Sequence, residues 1–255
     1  MSTTERVLQG KVAVVTGGSR GLGKAMAEGL AQVGADVVVT SRGLEACQAV
    51  AEELRRYGGR HQAFAADISR VAEAERLMNE VRSAYGRVDI LVNNAGISPI
   101  FKRAETVTED EWDAIIDTNL KGAFFCAVAA GRAMIEQKSG SIINISSAVG
   151  EEGAARLSVY AVAKAGVVSL TKTLAVEWAQ HNVRVNCIAP AYFDVGVSEP
   201  ALKAKWVYEE IIRRTPMKRV GQTSELRGAV VFLASDASSY VTGHTLYVDG
   251  GWHAA

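Results

Sequence analysis

Short β-branched runs alternate with helical stretches along almost the whole chain, and this alternation restricts the fold more than any other feature. The runs predict seven strands, at residues 11–16, 36–40, 61–66, 88–92, 141–145, 183–188 and 245–248. The stretches between them carry apolar residues at helical spacing. Strict alternation of this kind is typical of a parallel sheet with helices on both faces. We therefore expect an α/β fold, a doubly wound Rossmann sheet of seven parallel strands.

Capping residues place several of the helices more exactly. Ser69 is a candidate cap for a helix that runs to about Tyr85, and Thr108 with Glu111 forms a capping-box pattern at the start of a long helix. Another long helix is expected from about residue 157 to 181. The alternation of predicted strands and helices is interrupted at residues 191–222. We interpret this charged stretch as a substrate lid inserted into the fold.

Composition favours one soluble domain over residues 1–255 and argues against several partners. The chain is 48% hydrophobic, enough to bury a large core without a disulfide or a metal. Its 28 basic and 28 acidic residues cancel, so no net field draws it to nucleic acid or anionic lipid. The sequence lacks an apolar signal core and an uncharged apolar stretch of about 18 residues. We expect a cytoplasmic protein that binds neither nucleic acid nor membrane.

Cysteines and histidines give no sign of a metal site. Cys47, Cys126 and Cys187 are widely spaced among apolar neighbours, which fits reduced core thiols. The four histidines have neither the close spacing nor the cysteine neighbours of a zinc site. We therefore expect no metal.

A glycine-rich loop with the sequence TGGSRGLG, residues 16–23, joins the first strand to the first helix. Its glycines would let backbone N–H groups approach a pyrophosphate, whose charge is favoured by the helix dipole. A tight turn for strand–helix packing is the alternative interpretation. Residues 18–24 also match GxxxxGK, but Ala25 stands where a P-loop needs a hydroxyl. The candidate cofactor contacts in this loop are Gly17, Ser19, Arg20, Gly21, Leu22 and Gly23.

Tyr160 and Lys164 lie four residues apart on a predicted helix and so share a face. A free phenol with a pKa of about 10 is only about 0.1% ionised at neutral pH, whereas a nearby ammonium would lower that pKa. Ser146 and Ser147, at the end of the preceding strand, supply hydroxyls at the same rim. The pattern predicts proton transfer to or from a substrate oxygen.

Charge at the end of the second strand bears on the choice of cofactor. NAD enzymes of this fold place an acid there for the ribose 2′-hydroxyl, whereas NADP requires cations for its 2′-phosphate. This chain has Ser41 and Arg42 at that point, and Arg20 in the glycine loop. The sequence therefore favours NADP(H) over NAD(H), with solvated surface arginines as the alternative.

The chain resembles the short-chain dehydrogenase/reductase superfamily over nearly its whole length. Four motifs carry the resemblance: the loop at 16–23, the sequence NNAG at 93–96, Ser147, and Tyr160 with Lys164. The resemblance implies that Tyr160 is the general acid/base and that Ser147 binds the substrate oxygen, with Ser146 as the alternative. It also implies that Lys164 lowers the tyrosine pKa and holds the nicotinamide ribose. Asn119 would hold a water in the proton relay.

The resemblance also implies cofactor contacts beyond the glycine loop. Asp67 and Ile68 would meet the adenine, although Asp67 beside Ser69 also fits a helix cap. Asn94 fits a turn after the strand. The remaining contacts implied are Asn93, Ala95, Gly96, Tyr160, Lys164, Pro190, Phe193 and Val195.

Two positions depart from the family pattern. Ala191 and Val195 replace the glycine and threonine usual there, and valine cannot make the hydrogen bond of the threonine hydroxyl to the cofactor. We expect an altered lid closure or cofactor affinity.

Residues 241–251 are similar to gluconate 5-dehydrogenases and to 3-oxoacyl-carrier-protein reductases. The substrate implied is a secondary alcohol or ketone, such as a sugar acid, with an acyl thioester as the alternative. A basic lid would attract either anion, whereas Glu151 and Glu152 follow the serine. A catalytically idle NADP-binding sensor is the non-enzyme alternative, and the family further implies a homotetramer.

Overall fold

The computed structural model describes residues 6–195 and 202–255 and contains a sheet of seven parallel strands in the order β3-β2-β1-β4-β5-β6-β7. The strands are β1 (Val12–Thr16), β2 (Asp36–Ser41), β3 (Gln62–Ala65), β4 (Ile90–Asn93), β5 (Gly140–Ile145), β6 (Val183–Pro190) and β7 (Thr245–Val248). The strand order reverses direction between β1 and β4. Ligands of doubly wound sheets bind beyond the carboxyl ends of the strands at such a reversal. The doubly wound fold expected from the sequence is confirmed.

Helices connect the successive strands. They are α1 (Gly21–Gln32), α2 (Leu44–Leu54), α3 (Val71–Tyr85), α4 (Glu109–Ile116), α5 (Gly122–Gln137), α6 (Ser158–Trp178), α7 (Lys205–Arg214) and α8 (Leu226–Ala234). Helix α7 lies in the predicted lid, whose residues 196–201 are outside the described residues.

Alternate residues of each strand face opposite sides of the sheet, and each side has its own core. Ala13 and Val15 of β1 pack with α1, α2 and α8, whereas Val12 and Val14 pack with α3, α5 and α6. All four are at most 3% exposed. Because each large apolar side chain buried from water contributes about 1.5–3 kcal/mol, both sides of the sheet stabilise the position of the loops at its rim.

One predicted cap is wrong and another is confirmed. The helix expected from Ser69 begins at Val71, because the Ser69 hydroxyl donates to the Asp67 carboxylate at 2.7 Å instead of capping it. In contrast, the predicted capping box of Thr108 and Glu111 is present at the start of α4.

Two helical segments are long and apolar enough to cross a membrane by length and composition, Glu109–Gln137 and Ser158–His181, which the sequence analysis did not expect. Both pack on the sheet: Met134 of α5 and Leu174 of α6 belong to the core cluster of that face. Helices in the core of a soluble protein pass the same criterion.

Candidate active site

The glycine loop beyond β1 comes so close to the loop beyond β4 that side chains are excluded at two positions. A Cβ on Gly17, whose φ is +63°, would lie 2.8 Å from the Ala95 Cα. A Cβ on Gly23 would lie 2.3 Å from the Gly17 carbonyl oxygen. Only glycine therefore permits this close approach of the two loops, at the place where the backbone of a dinucleotide-binding turn would meet a phosphate.

Asn94 holds this loop in place. Its side-chain amide donates to the carbonyl oxygens of Thr16 at 2.9 Å and of Gly17 at 3.1 Å, while the Thr16 hydroxyl accepts from the backbone N–H groups of Asn94 and Ala95. The sequence analysis treated Asn94 as a turn residue and missed this role. A polar side chain at the end of a buried strand beside the glycine loop was the available signal.

The amino terminus of α1 fits an anion. Arg20 occupies the N-cap position without a side-chain cap, and the first turn holds no acidic residue. The backbone N–H groups of that turn are therefore left for a ligand. Lys24, in the same turn, is engaged by Glu53 at 2.6 Å.

Arg20 and Arg42 are exposed beside this loop, and neither has a carboxylate within salt-bridge distance among residues 6–195 and 202–255. Partial burial acts to raise the pKa of the Asp67 carboxyl group. Hydrogen bonds from Ser69 and, to a smaller extent, the charge of nearby Arg42 outweigh burial, so the pKa is lowered. The Ser41 hydroxyl lies 2.9 Å from the Cys47 sulfur and 3.3 Å from the Gly43 carbonyl oxygen. Two guanidinium groups thus remain available for a phosphate.

Two implied adenine-side contacts point away from the rim. The Asn93 side chain donates to the Ala123 carbonyl at 3.0 Å and to Asn144 at 2.9 Å, inside the core between β4 and β5. A residue in a strand buried on both faces has no route for its side chain to the rim, so Asn93 offers a ligand only its backbone. The Ile68 side chain is likewise buried, against Gly122. Asp67 stays at the rim, with only Oδ1 engaged, by Ser69.

The segment after β6 closes over the glycine loop. Pro190 ends the strand, and Val195 approaches the position of a Gly21 Cβ at 3.7 Å. Phe193 is 3% exposed and packs against Gly221, so its ring belongs to the core and is not directed at a cofactor. Val195 has no hydroxyl, so the hydrogen bond expected from the usual threonine cannot form at this position.

Of the two candidate serines, Ser147 faces Tyr160. Ser146 is 3% exposed and donates its hydroxyl to the Lys164 carbonyl at 2.8 Å, inside the fold. The Ser147 hydroxyl interacts with the phenol of Tyr160, and this interaction lowers the pKa of the tyrosine. The structure therefore leaves Ser147 as the hydroxyl available to a substrate oxygen.

Lys164 is 4% exposed and lies beneath the tyrosine ring, with Nζ 5.7 Å from the ring centroid. Its ammonium group donates to the Ile145 carbonyl at 2.7 Å and lies 3.5 Å from where a Cβ on Gly96 would sit. Burial lowers the pKa of Lys164 to about 8.

The expected lowering of the tyrosine pKa is not found for the chain's own residues. Burial raises the pKa of Tyr160 to about 12, more than the Ser147 interaction lowers it. The Lys164 ammonium does not offset this, because it is directed at the Ile145 carbonyl and not at the phenol oxygen. At neutral pH the site therefore holds a protonated phenol above a buried ammonium group.

Asn119 lies in a π-helical turn, Asp117–Lys121, between α4 and α5. Its side chain bonds both backbone groups of Ile97, accepting from N–H at 2.7 Å and donating to C=O at 2.8 Å. Such turns are frequent at functional sites. Within residues 6–195 and 202–255, one amide hydrogen and one oxygen lone pair of Asn119 have no hydrogen-bond partner.

No group of three His, Cys, Asp or Glu side chains in the described parts of the chain could hold a metal ion.

The glycine loop and the amino terminus of α1, which together we call the cradle, fit a dinucleotide. The hydroxyl groups of Ser147 and Tyr160 beside the cradle fit hydride chemistry on a carbon–oxygen bond. These two properties together define a nicotinamide-dependent oxidoreductase of the Rossmann type. A family model described as Enoyl-(Acyl carrier protein) reductase matches residues 17–253. The chain belongs to the short-chain dehydrogenase/reductase family.

Characterised relatives match over the full length. The chain is 40% identical over 250 residues to 2-dehydro-3-deoxy-D-gluconate 5-dehydrogenase of Escherichia coli, covering 97% of both chains. It is 40% identical over 246 residues to 3-oxoacyl-[acyl-carrier-protein] reductase FabG of Staphylococcus aureus, covering 95% of this chain and 98% of the relative. A crystal structure of a gluconate 5-dehydrogenase from Burkholderia cenocepacia, in complex with NADP and tartrate, is 36% identical with a TM-score of 0.95 and covers 100% of both chains.

Proposed function

We propose that this protein is an NADP(H)-dependent oxidoreductase that interconverts a secondary alcohol and a ketone on a sugar acid, such as gluconate and 5-ketogluconate. The observation that carries the proposal is the Ser147–Tyr160 pair above the Lys164 ammonium at the rim of the glycine-loop cradle. Relatives named as gluconate dehydrogenases support the substrate class.

The chain's own residues perform the proton chemistry in this proposal. Ser147 donates a hydrogen bond to the carbonyl oxygen, and Tyr160 transfers its phenolic proton to the same oxygen as the alcohol forms. The bound nicotinamide supplies the hydride in this direction and accepts it in the other. Lys164 provides a fixed positive charge below the phenol, and Asn119 orients the Ile97 backbone beside a water that resupplies the proton.

NADP(H) is the proposed cofactor because its 2′-phosphate requires cations. Arg20 and Arg42 provide them, and Ser41 stands where an acid would select NAD(H). The bound NADP in the Burkholderia structure supports this choice.

Reduction of a 3-oxoacyl thioester on acyl carrier protein is the second candidate, supported by the FabG relative. A basic lid would favour docking of such an acidic carrier. However, three of the lid's cations, Lys205, Arg213 and Arg219, pair with Glu209, Glu210 and Glu225 at 3.8, 2.6 and 2.6 Å. This internal pairing favours the small sugar acid over the carrier protein.

A substrate panel tests the proposal. NADPH oxidation is followed with keto-sugar acids, simple ketones and aldehydes, and 3-oxoacyl thioesters. Turnover of a keto-sugar acid with the highest kcat/KM supports the first candidate, whereas preference for the thioester supports the second. No turnover with any substrate would leave the NADP-binding sensor as the function.

Cofactor choice is tested with Arg42→Ala, and with Arg55→Ala as control because Arg55 is exposed and pairs only with neighbouring Glu52. We expect Arg42→Ala to lower kcat/KM for NADPH about tenfold and to leave NADH unchanged. A wild-type enzyme that uses NADH as well as NADPH would contradict the assignment.

Assembly as a homotetramer in the cytoplasm is part of the same proposal. Family membership supports it, as do apolar side chains exposed on the long helices, including Phe124 of α5 and Val162 and Val176 of α6.

A further inference from the structure

One carboxylate joins three parts of the chain that are distant in sequence. Glu152 lies five residues after Ser147 in the loop beyond β5. Its Oε2 accepts from the Trp252 indole N–H at 3.0 Å and lies 3.6 Å from Arg214 at the end of α7. Its Oε1 lies 3.3 Å from Nδ1 of His253. Three segments therefore meet at the Glu152 side chain: the loop beyond β5 that contains Ser147 (the serine loop), helix α7 (the lid helix) and residues 249–255 (the Trp252 segment).

Trp252 connects Glu152 by direct packing to Tyr192, on the substrate side of the site. It is 5% exposed, with the Arg214 guanidinium 4.1 Å above its ring and the Tyr192 ring at 4.9 Å in an edge-on arrangement. Tyr192 follows β6 and is close enough to Tyr160 to affect the pKa of that residue. A wall of aromatic rings therefore runs from Glu152 to the catalytic tyrosine.

The same wall reaches the catalytic serine. Ala148, adjacent to Ser147, is 2% exposed and packs in one apolar cluster with Trp252 and Ile211 of α7. Backbone contact reinforces the attachment, because Met217 N–H donates to the Gly250 carbonyl at 3.1 Å. The lid helix, the Trp252 segment and the serine loop thus pack as one unit at this side of the site.

We infer that Glu152 is a positioning residue, which fixes the lid helix and the Trp252 segment against the serine loop and thereby shapes the substrate-binding wall. Its charge is matched by Arg214, and its side chain is 26% exposed, so its hydrogen bonds are partly shielded from water. Glu152 does not contact the Tyr160–Lys164 pair in any hydrogen bond of the described residues. It should therefore govern substrate binding and not proton transfer.

Hydrogen exchange tests the attachment without a substrate. Glu152→Ala should speed amide exchange in residues 246–255 and 205–214 about tenfold or more, since the hydrogen bond from the Trp252 indole, the ion pair with Arg214 and the contact with His253 are lost. Glu152→Gln retains an acceptor for the indole and should show a smaller change. Glu210→Gln is the matched control, because Glu210 lies on the same lid helix and forms its salt bridge with Arg213 and not with the Trp252 segment. Unchanged exchange in Glu152→Ala overturns the inference.

The kinetic arm rests on the proposed function and uses the substrate that the panel identifies. Glu152→Ala should raise KM about tenfold, while kcat changes less than threefold and the NADPH dissociation constant stays constant. Trp252→Phe removes the indole donor but keeps a ring. Its effect on KM should not add fully to that of Glu152→Ala, because both remove the hydrogen bond between the indole and Glu152.

The experiments distinguish a failure of the proposed function from a failure of the inference about Glu152. A wild-type protein that turns over no panel substrate refutes the proposed function, while the exchange data still decide the role of Glu152. Faster exchange with an unchanged KM, or a loss confined to kcat, overturns the inference although the enzyme is active.

Discussion

Burial dominates the electrostatics of the Tyr160–Lys164 pair. It disfavours the charged form of each group, so it raises the pKa of the phenol to about 12 and lowers the pKa of the amine to about 8. The phenol is therefore protonated at neutral pH, which is the form that carbonyl reduction requires. The spacing of the two residues predicted their proximity but not this balance, because burial is a property of the whole fold.

Replacing Tyr160 by phenylalanine removes the proton donor and little else. We expect kcat to fall about 10²–10⁴-fold, the usual contribution of general acid–base catalysis. The NADPH dissociation constant, measured by fluorescence titration, should change less than twofold. Turnover close to wild type would contradict the assigned role.

Lys164 makes the stability of the cofactor-free protein depend on pH. Its pKa is about 8 in the fold and about 10.5 when unperturbed, so between these values the unfolded chain binds more protons and the folded state gains stability as pH rises. We expect the free energy of unfolding in urea to rise by about 2 kcal/mol between pH 7 and 9.5 from this group.

The control is Lys164→Met, which keeps the length of the side chain and removes its titration. Its unfolding free energy should lack this rise, so the wild-type value minus the variant value should increase by the same amount over that range. Parallel curves would show that the buried amine is not the cause.

Two pairs of neighbouring residues, Ser146–Ser147 and Asn93–Asn94, show how much of the site could be predicted from the sequence. The family motif favoured Ser147 over Ser146 as the candidate serine, and the two hydroxyls have different partners in the structure, the Tyr160 phenol for Ser147 and the Lys164 carbonyl for Ser146. It did not distinguish the side chains of Asn93 and Asn94, which serve the core and the glycine loop respectively. Strand alternation sends neighbouring side chains in opposite directions, but only the position of β4 next to β1 gives Asn94 its partners.

At the scale of elements, the strand–turn–helix unit of β1 and α1 depends on close backbone approach. Gly23→Ala would place a Cβ 2.3 Å from the Gly17 carbonyl oxygen, so the loop would have to shift. We expect a loss of about 1–3 kcal/mol in unfolding free energy and a NADPH affinity at least tenfold weaker. Thermal unfolding with and without NADPH measures both.

Gly228→Ala is the matched control, because Gly228 lies within α8 and a Cβ there meets nothing within 4 Å. Alanine is the better helix former, so this variant should gain about 0.5–1 kcal/mol. Equal effects of the two variants would contradict the close-approach argument.

The regular elements were predictable because period and capping are local properties. Strand β7 was placed at its observed bounds, Thr245–Val248, and the capping box of α4 at its observed residues. The π-helical turn at Asp117–Lys121 was not foreseen, since its extra residue is fixed by the contact of Asn119 with Ile97. Likewise, the attachment of Trp252 to Glu152 joins residues 100 positions apart.

At the scale of the whole molecule, exposed apolar side chains include Phe124 of α5 and Val162 and Val176 of α6. A groove of about 400 Å³ between α5 and α6 is lined in part by Leu120, Phe124 and Leu170. Val176 on α6 is 83% exposed. Exposed apolar side chains beside such a groove are candidates for a site of association.

We expect light scattering to give a mass about four times the 27.1 kDa of one chain. Val176→Glu places a charge on this face and should yield smaller assemblies. Val7→Glu is the control, because Val7 is 51% exposed and lies outside these helices. A wild-type protein that elutes as a monomer would refute the tetramer.

The hydrogen bond from the Asn94 side chain to the Thr16 carbonyl joins residues that are 78 positions apart in the chain. A nascent polypeptide that has emerged only as far as α3 already contains the entire glycine loop, and the Gly18 N–H can donate to the Thr40 carbonyl of β2, but the contacts from Asn94 are still missing. Cofactor capture during synthesis must therefore wait until β4 has docked beside β1, a slow closure over a long loop. Nucleotide binding would then report, in a refolding or ribosome-arrest experiment, the moment at which the centre of the sheet is assembled.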